Sequence, residues 1–386
     1  MVEDWRLGGF GLYIHWPYCE AKCPYCDFNS HVSQVIDQDA WRDAYLSALD
    51  AYAAETPDRV LNSVYFGGGT PSLMNPAVVS SVLDALPKHW RLANDLEVTL
   101  EANPSSVEAS RFSRYRDAGV NRVSLGIQAL NDIDLRRLGR LHNTDTALKA
   151  LEIARNTFDR VNFDLIYGRQ DQGLQDWIEE LERALSFSPD HLSLYQLTIE
   201  QGTAFGNLLN RGKLTGLPGE DLAADLYDLT AETTAAAGLP AYEVSNHAKP
   251  GQESRHNLVY WQAGDYVGIG PGAHGRLTLG GHRFATTTAL APGDWLAAVA
   301  KGGSGELARE TLSSEDHLVE YIMMSLRTLK GLDLRRAETI GERPIDSRKI
   351  NMLREIGMLD CVDDRVVVSQ RGRSVLNAVI TALLPD

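Results

Sequence analysis

An α/β fold is what this sequence predicts: an open, partial TIM-like (β/α)6 barrel followed by a smaller winged-helix-like domain. Three observations carry that prediction. Short apolar runs alternate with amphipathic stretches from residue 10 to about 245, and alternation with helical crossovers means a parallel sheet. The units number six, too few to close an eight-stranded barrel, so an open barrel is preferred to a doubly wound sheet. From Ser314 the pattern changes to three helices and then a strand.

In chain order, the spacing predicts strands over 11–15, 63–66, 96–101, 122–126, 161–166 and 191–197. Helical patterns separate them over 40–55, 77–86, 107–118, 144–156 and 175–187, and a further helix covers 220–237. A Gly-rich, aromatic region, 242–281, follows without clear periodicity. The stretch 290–305, with Pro292 and Gly302-Gly303-Ser304-Gly305, reads as a connection. Helices over 316–329, 332–340 and 347–356 and a strand over 365–369 complete the chain. Two domains are therefore expected, a core with its Gly/aromatic extension (1–305) and the winged-helix-like domain (306–386).

With 386 residues and 44% hydrophobic content, the chain can bury a large core. No uncharged apolar run approaches a membrane span, so no integral membrane segment is expected. The start, Met-Val-Glu-Asp-Trp, is acidic and lacks a signal-peptide layout. Reduced thiols then point to a cytoplasmic protein. A net charge of −15 argues against a polyanion-binding surface. Winged helices often bind DNA, but 309–386 carries 12 Lys/Arg against 13 Asp/Glu, so no nucleic acid partner is expected.

The most informative motif is Cys19-Glu-Ala-Lys-Cys23-Pro-Tyr-Cys26, a C-x3-C-x2-C run, with Cys361 far away. Three thiolates can hold three corners of a cubane 4Fe-4S cluster and leave one iron open to a small-molecule chelator. S-adenosylmethionine (SAM) is the candidate chelator. Zinc wants four ligands; His15, His31 or Asp27 could complete such a site, but no second C-x2-C supports it. A thioredoxin-like pair has no use for a third thiol. Covalent heme attachment needs C-x-x-C-H, and Asp27 follows Cys26. Four cysteines in a chain this long make no secreted disulfide framework.

The second predicted strand runs into Gly67-Gly68-Gly69-Thr70-Pro71. Glycines at a strand end let backbone approach a ligand, and Thr70-Pro71 suits a helix start with free N–H groups. A tight turn is the plain alternative. Glu101, Gln128 and Asp164 lie at or near successive strand ends, and such ends converge on one face. Singly each reads as a solvated strand end; their recurrence favours a site. The G-x-G-x-x-G from Gly270 to Gly275 lacks a strand–turn–helix setting and is discounted. His256-Asn-Leu-Val-Tyr-Trp261 joins a potential heme ligand to two aromatic rings; a structural histidine is the commoner reading.

Together, Tyr13-Ile-His-Trp-Pro-Tyr-Cys19, the cysteine run, Phe66-Gly-Gly-Gly-Thr-Pro71, Leu100-Glu-Ala-Asn-Pro104, Asp164-Leu-Ile-Tyr-Gly168, Tyr242-Glu-Val-Ser-Asn246 and His256–Trp261 carry a resemblance. The chain resembles the oxygen-independent coproporphyrinogen III oxidase group of radical SAM proteins over essentially its whole length. It is most similar to that group's heme chaperone branch. The oxidases carry a fourth cysteine where this chain has Phe28, and a longer N-terminal extension.

The resemblance implies a radical SAM barrel, with Cys19, Cys23 and Cys26 as cluster ligands. Tyr13, Tyr25, Gly68 and Glu101 match positions contacting the cluster-bound SAM. Gly69, Thr70, Gln128, Arg140, Asp164 and Thr198 match a second SAM site in the oxidases. His256 leads the motif associated with heme. The implied cofactors are a 4Fe-4S cluster, SAM and heme, and the implied partners are heme, a heme-acceptor protein and an electron donor. In the implied chemistry, SAM chelates the open iron, and reduction cleaves it to a 5′-deoxyadenosyl radical. The alternatives are enzymes on the same scaffold: a coproporphyrinogen III oxidase, or a radical SAM methyltransferase.

Overall fold

The computed structural model describes residues 3–385. Met1, Val2 and Asp386, which the sequence-based domain limits and the acidic N-terminal run include, lie outside the described residues. Six parallel strands stand side by side in chain order: β1 (Phe10–Trp16), β2 (Val60–Gly68), β3 (Arg91–Ala102), β4 (Arg122–Gln128), β5 (Arg160–Tyr167) and β6 (His191–Gln196). These are the six predicted strands, their limits shifted by a few residues. In β1 every residue except Tyr13 is buried, as expected of a strand covered on both faces.

The crossovers are α1 (Gln38–Glu55), α2 (Pro76–His89), α3 (Thr144–Thr157) and α4 (Leu174–Ser186), followed by α5 (Glu220–Ala236). Asp37, Asn75 and Asn143 cap the first three, each accepting from a first-turn N–H. The helix predicted over 107–118 is two short pieces, Ser106–Ala109 and Phe112–Asp117. Between them the chain turns, because the buried Glu108 carboxylate accepts from Ser72 Oγ and from Asn103 N at 2.8 Å.

The Gly/aromatic region is more regular than its sequence suggests. It supplies β7 (Asn246–Ala248), antiparallel to β6, and α6 (Arg255–Trp261). It also supplies β8 (Asp265–Ile269), parallel to β1 on its free side. Beyond β8 come the antiparallel strands β9 (His274–Leu279), β10 (His282–Thr288) and β11 (Glu306–Thr311). The resulting 11-stranded sheet is open, with β11 and β7 as its edges.

Two sequence expectations are corrected here. Residues 290–305 are not a simple connection: they contain α7 (Pro292–Ala300), whose Trp295 stacks on Trp41 of α1 with centroids 5.5 Å apart. A proline at the first helical turn is compatible with helix. Secondly, β11 pairs with β10, so residues 306–311, assigned from sequence to the C-terminal domain, belong to the large sheet.

The C-terminal unit contains α8 (Ser314–Ser325), β12 (Leu332–Asp333), α9 (Leu334–Gly341), α10 (Ser347–Glu355), β13 (Leu359–Val362), β14 (Arg365–Val368) and α11 (Leu376–Leu383). It has its own apolar core, including Leu318, Ile322, Leu353, Val366 and Ile380. It is tied to the barrel by Arg336, which donates to both Asp4 carboxylate oxygens (2.8 and 2.7 Å) and to the Gln262 carbonyl (2.7 Å). Among the described residues, no helix is long and apolar enough to cross a membrane.

Candidate functional site

The C-terminal ends of the parallel strands open onto a cavity of about 420 Å³. Cys19, Cys23 and Cys26 line it, as do nine of the eleven predicted cofactor-binding residues: Tyr25, Gly68, Gly69, Thr70, Glu101, Gln128, Arg140, Asp164 and Thr198. Residues scattered over 180 positions meet because parallel strands deliver their C-terminal ends to one face.

The cysteine loop leaves β1 and is closed at its base, where Tyr18–Cys19 pairs with His31–Val32. Its thiols are half-buried. Thr70 Oγ1 donates to Cys19 Sγ (3.4 Å) and Arg140 Nη1 to Cys23 Sγ (3.3 Å). Burial pushes the Cys19 and Cys26 thiols above their usual range, so binding a metal centre there must release protons. Among the described residues, no three His, Cys, Asp or Glu side chains converge closely enough for a single metal ion. A cubane holds each thiolate on a different iron and so does not need the three to converge on one point.

The glycine turn differs from its sequence reading. Gly69 N donates to Trp16 O (2.7 Å), Thr70 N to Tyr18 O (2.9 Å) and Gly68 N to Glu101 Oε2 (3.2 Å). Its N–H groups are therefore spent on positioning the cysteine loop and Glu101, and none of these three is free for an anion. Only a short 3-10 turn, Pro71–Leu73, follows. Glycine is needed for space: a Cβ on Gly69 would lie 2.7 Å from Tyr18 O and 3.1 Å from Cys19 Sγ.

Beyond the turn, the walls carry polar groups. Glu101 accepts from Tyr65 Oη at 2.8 Å, and burial pushes its carboxyl up to about 7. Asp164 is likewise pushed up by burial, and accepts from Ser124 Oγ (3.1 Å) and Asn162 Nδ2 (2.7 Å). Arg140 Nη2 reaches Asn103 Oδ1 (2.5 Å) and Gly126 O (2.9 Å). Two buried polar atoms on this wall, Gln128 Oε1 and Arg140 Nε, have no partner among the described residues. Buried polar atoms are normally paired, so these two fit a cavity built for a polar ligand. Tyr65, Asn103 and Ser124 were not singled out from sequence; all three lie within or beside the motifs that were.

A second cavity, of about 760 Å³, lies beside the first, between the sheet and the end of α8. Phe28, Gly68, Glu101 and Tyr195 line both. Tyr13, expected at the SAM face, faces this second cavity instead, with its hydroxyl 3.1 Å from His15 Nδ1. Tyr260 and Trp261 also line it.

His256 does not. It is 1% exposed, with Nδ1 2.9 Å from Ser63 Oγ and Nε2 2.6 Å from Tyr260 Oη. Both ring nitrogens have partners here, so axial ligation by His256 would require one of these two hydrogen bonds to be given up. Its ring stacks on Tyr65, with centroids 5.0 Å apart, which accounts for a buried histidine at this point of the barrel.

Comparison with known proteins agrees with this geometry. Residues 13–184 match the model of the radical SAM superfamily, and residues 312–375 that of the HemN C-terminal domain. The bovine mitochondrial radical S-adenosyl methionine domain-containing protein 1 is 39% identical over 384 residues, covering 97% of this chain and 87% of its own. The heme chaperone HemW of Escherichia coli K12 is 42% identical over 285 residues, 73% of this chain and 74% of that one. HemW of Mycobacterium tuberculosis H37Rv is 36% identical, covering 97% and 95%. Among solved structures, the coproporphyrinogen III oxidase HemN of E. coli superposes with a TM-score of 0.81 at 22% identity, over 97% of this chain and 90% of that one.

Proposed function

The chain belongs to the radical SAM superfamily, in its HemN/HemW group, and from that premise we propose that it is a heme chaperone. It binds heme beside a cluster-and-SAM cleft and passes heme to an acceptor protein. The observation that carries the reading is the pair of adjoining cavities: a polar one at the three cysteines, and a larger one whose walls include Tyr13, Tyr260, Trp261 and Tyr266. Concave, aromatic-lined sites of this size suit planar ligands.

Cys19, Cys23 and Cys26 are the ligands proposed for a 4Fe-4S cluster, and Gly68, Glu101 and Tyr25 line the space where SAM would meet it. When bound, cluster and SAM supply one-electron chemistry. The chain's own contribution is placement: Gly69 gives the cysteine loop room, Thr70 and Arg140 orient two of its thiols, and Glu101 offers a carboxylate to a cationic ligand. Gln128, Arg140, Asp164 and Thr198 are proposed to hold a second polar ligand on the same wall.

The enzymatic alternative is coproporphyrinogen III oxidation. The fold likeness to HemN is equally compatible with it. Phe28, 58% exposed between the two cavities where the resembling oxidases carry a cysteine, favours the chaperone. Titration with hemin tests the reading: the purified protein should develop a heme-protein Soret band and lose it to an apo-acceptor. Anaerobic incubation with coproporphyrinogen III, SAM and a reductant should yield no protoporphyrinogen. Conversion without heme binding would overturn the proposal.

A further inference from the structure

The cysteine loop ends in Asn29-Ser30-His31, a segment pinned from several sides. Asn29 Nδ2 donates to Pro271 O and to Leu290 O, each at 2.9 Å, and the Asn29 carbonyl lies 2.9 Å from His15 Nε2. His31 N donates to Pro17 O at 2.7 Å, and its Nε2 is 3.2 Å from Asn29 Oδ1. The Gly270-Pro271-Gly272 turn, discounted as a dinucleotide fingerprint, thus anchors the loop. It needs glycine to do so: a Cβ on Gly272, at φ +73°, would lie 2.7 Å from Asn29 Nδ2. Ser30 is held in place by both its neighbours, and only its side chain is left to turn.

The Ser30 hydroxyl has no acceptor for its proton. Ser30 lines the cysteine cavity and is 7% exposed, and its Oγ is buried without a hydrogen bond among the described residues. Buried hydroxyls are normally satisfied, and an unmet one destabilises the fold. The hydroxyl neighbours two thiols of the loop: burial raises Cys19 and Cys26, and Ser30 opposes that rise in both. It is in bonding geometry with neither. The three thiols are otherwise unequally served. Cys19 Sγ accepts from Thr70 Oγ1 (3.4 Å) and Cys23 Sγ from Arg140 Nη1 (3.3 Å), whereas Cys26 Sγ meets no side-chain donor among the described residues.

We propose that Ser30 tunes the cluster: its hydroxyl donates to the Cys26 sulfur once that sulfur is a thiolate ligand of iron. A neutral thiol is a weak acceptor, which is why the hydroxyl stands idle in the protein alone. An ionised sulfur takes the same proton in a charge-assisted bond. Such a bond favours the more negative, reduced form of a cluster, and hydrogen bonds to the sulfurs help to set cluster potentials. Ser30 therefore acts through Cys26 and touches no substrate. The inference rests on the assignment of the three cysteines to a 4Fe-4S cluster. It goes beyond that assignment in naming a residue that sets how readily the cluster accepts an electron.

Redox titration of the reconstituted protein, followed by EPR of the reduced cluster, measures the effect. Ser30→Ala should favour the oxidised cluster by about tenfold, which for one electron is a potential about 59 mV lower, with the iron content of the parent. Ser30→Thr keeps the hydroxyl and should keep the parent's potential. After exchange into deuterium oxide, pulsed EPR should show a deuteron coupling in the parent that Ser30→Ala lacks. Before reconstitution, Ser30→Ala should resist denaturant at least as well as the parent, because it discards a hydroxyl that has no partner. A Ser30→Ala protein with the parent's potential and deuteron spectrum overturns the inference. So does a Ser30→Ala apoprotein that unfolds more easily than the parent, or loss of the cluster from both variants, since either makes Ser30 a structural residue of the loop. If the parent itself assembles no cubane, the cysteine assignment fails; if it does and Ser30→Ala matches it, only this inference does.

Discussion

Tyr65 Oη donates to Glu101 Oε1 at 2.8 Å while the Gly68 N–H holds the other oxygen at 3.2 Å. Two bonds from neighbouring β2 thus fix a carboxylate at the end of β3, at the boundary of both cavities. Burial opposes its ionisation, Asp164 adds to that, and Arg122 works against it, leaving a carboxyl near pH 7.

A cationic ligand such as SAM binds the ionised form, so below pH 7 it must first displace a proton. Affinity for SAM should therefore be full above about pH 7 and fall as pH drops toward the ordinary carboxyl range, by up to about tenfold per unit. Calorimetry across pH 5.5–8.5 measures this. Glu101→Gln should bind SAM more weakly by about 1.5–3 kcal/mol at pH 8 and show no such slope. A parent slope retained in the variant would exclude Glu101 as its source.

Gly69→Ala places a methyl group 2.7 Å from the Tyr18 carbonyl oxygen. The cysteine loop must shift, at a cost of about 1–3 kcal/mol, the scale of overpacking. The variant should melt earlier and take up less iron on anaerobic reconstitution. Parent-like values of both would show that the loop yields freely.

Cys23→Ala removes one of three thiols. The parent should reconstitute to roughly four irons per chain, as one cubane requires, and the variant to far fewer, with loss of the cluster absorbance. Full iron content and an unchanged spectrum in the variant would refute a three-cysteine cluster.

His256→Ala would leave Ser63 Oγ and Tyr260 Oη without the partners they now have. The expected loss is about 2–4 kcal/mol of folding stability, read by denaturant unfolding, with the hemin spectrum of the folded fraction unchanged. A variant of parent stability that no longer ligates heme would establish His256 as the axial residue.

The parallel core was legible because the central stretch of each of its strands is largely buried and a helix follows, so periodicity and composition agree. Strand β11, Glu-Leu-Ala-Arg-Glu-Thr, was not: all its residues are exposed or half-buried, and it is held by pairing with β10 rather than by apolar patterning. Helix α7 was hidden by its starting proline and trailing glycines, although Trp295 buries its face completely. In the site, the strand-end residues could be placed from sequence because parallel strands share one open end. Tyr13 and His256 could not, because side-chain direction along a strand and the partners of a buried ring depend on neighbours distant in sequence.

The wall formed by Phe28, Gly68, Glu101 and Tyr195 faces a different compartment on each side. It contains residues from the cysteine loop and from three separate strand ends, and no second layer intervenes. A molecule that moves this wall from one side alters the surface offered on the other. Thermodynamic reciprocity then fixes the exchange: whatever factor occupancy of the cysteine cleft applies to cargo affinity, the cargo must apply in return to the cysteine cleft. Any such coupling would read equally as a change in cargo affinity when the small ligand binds and a change in small-ligand affinity when the cargo binds.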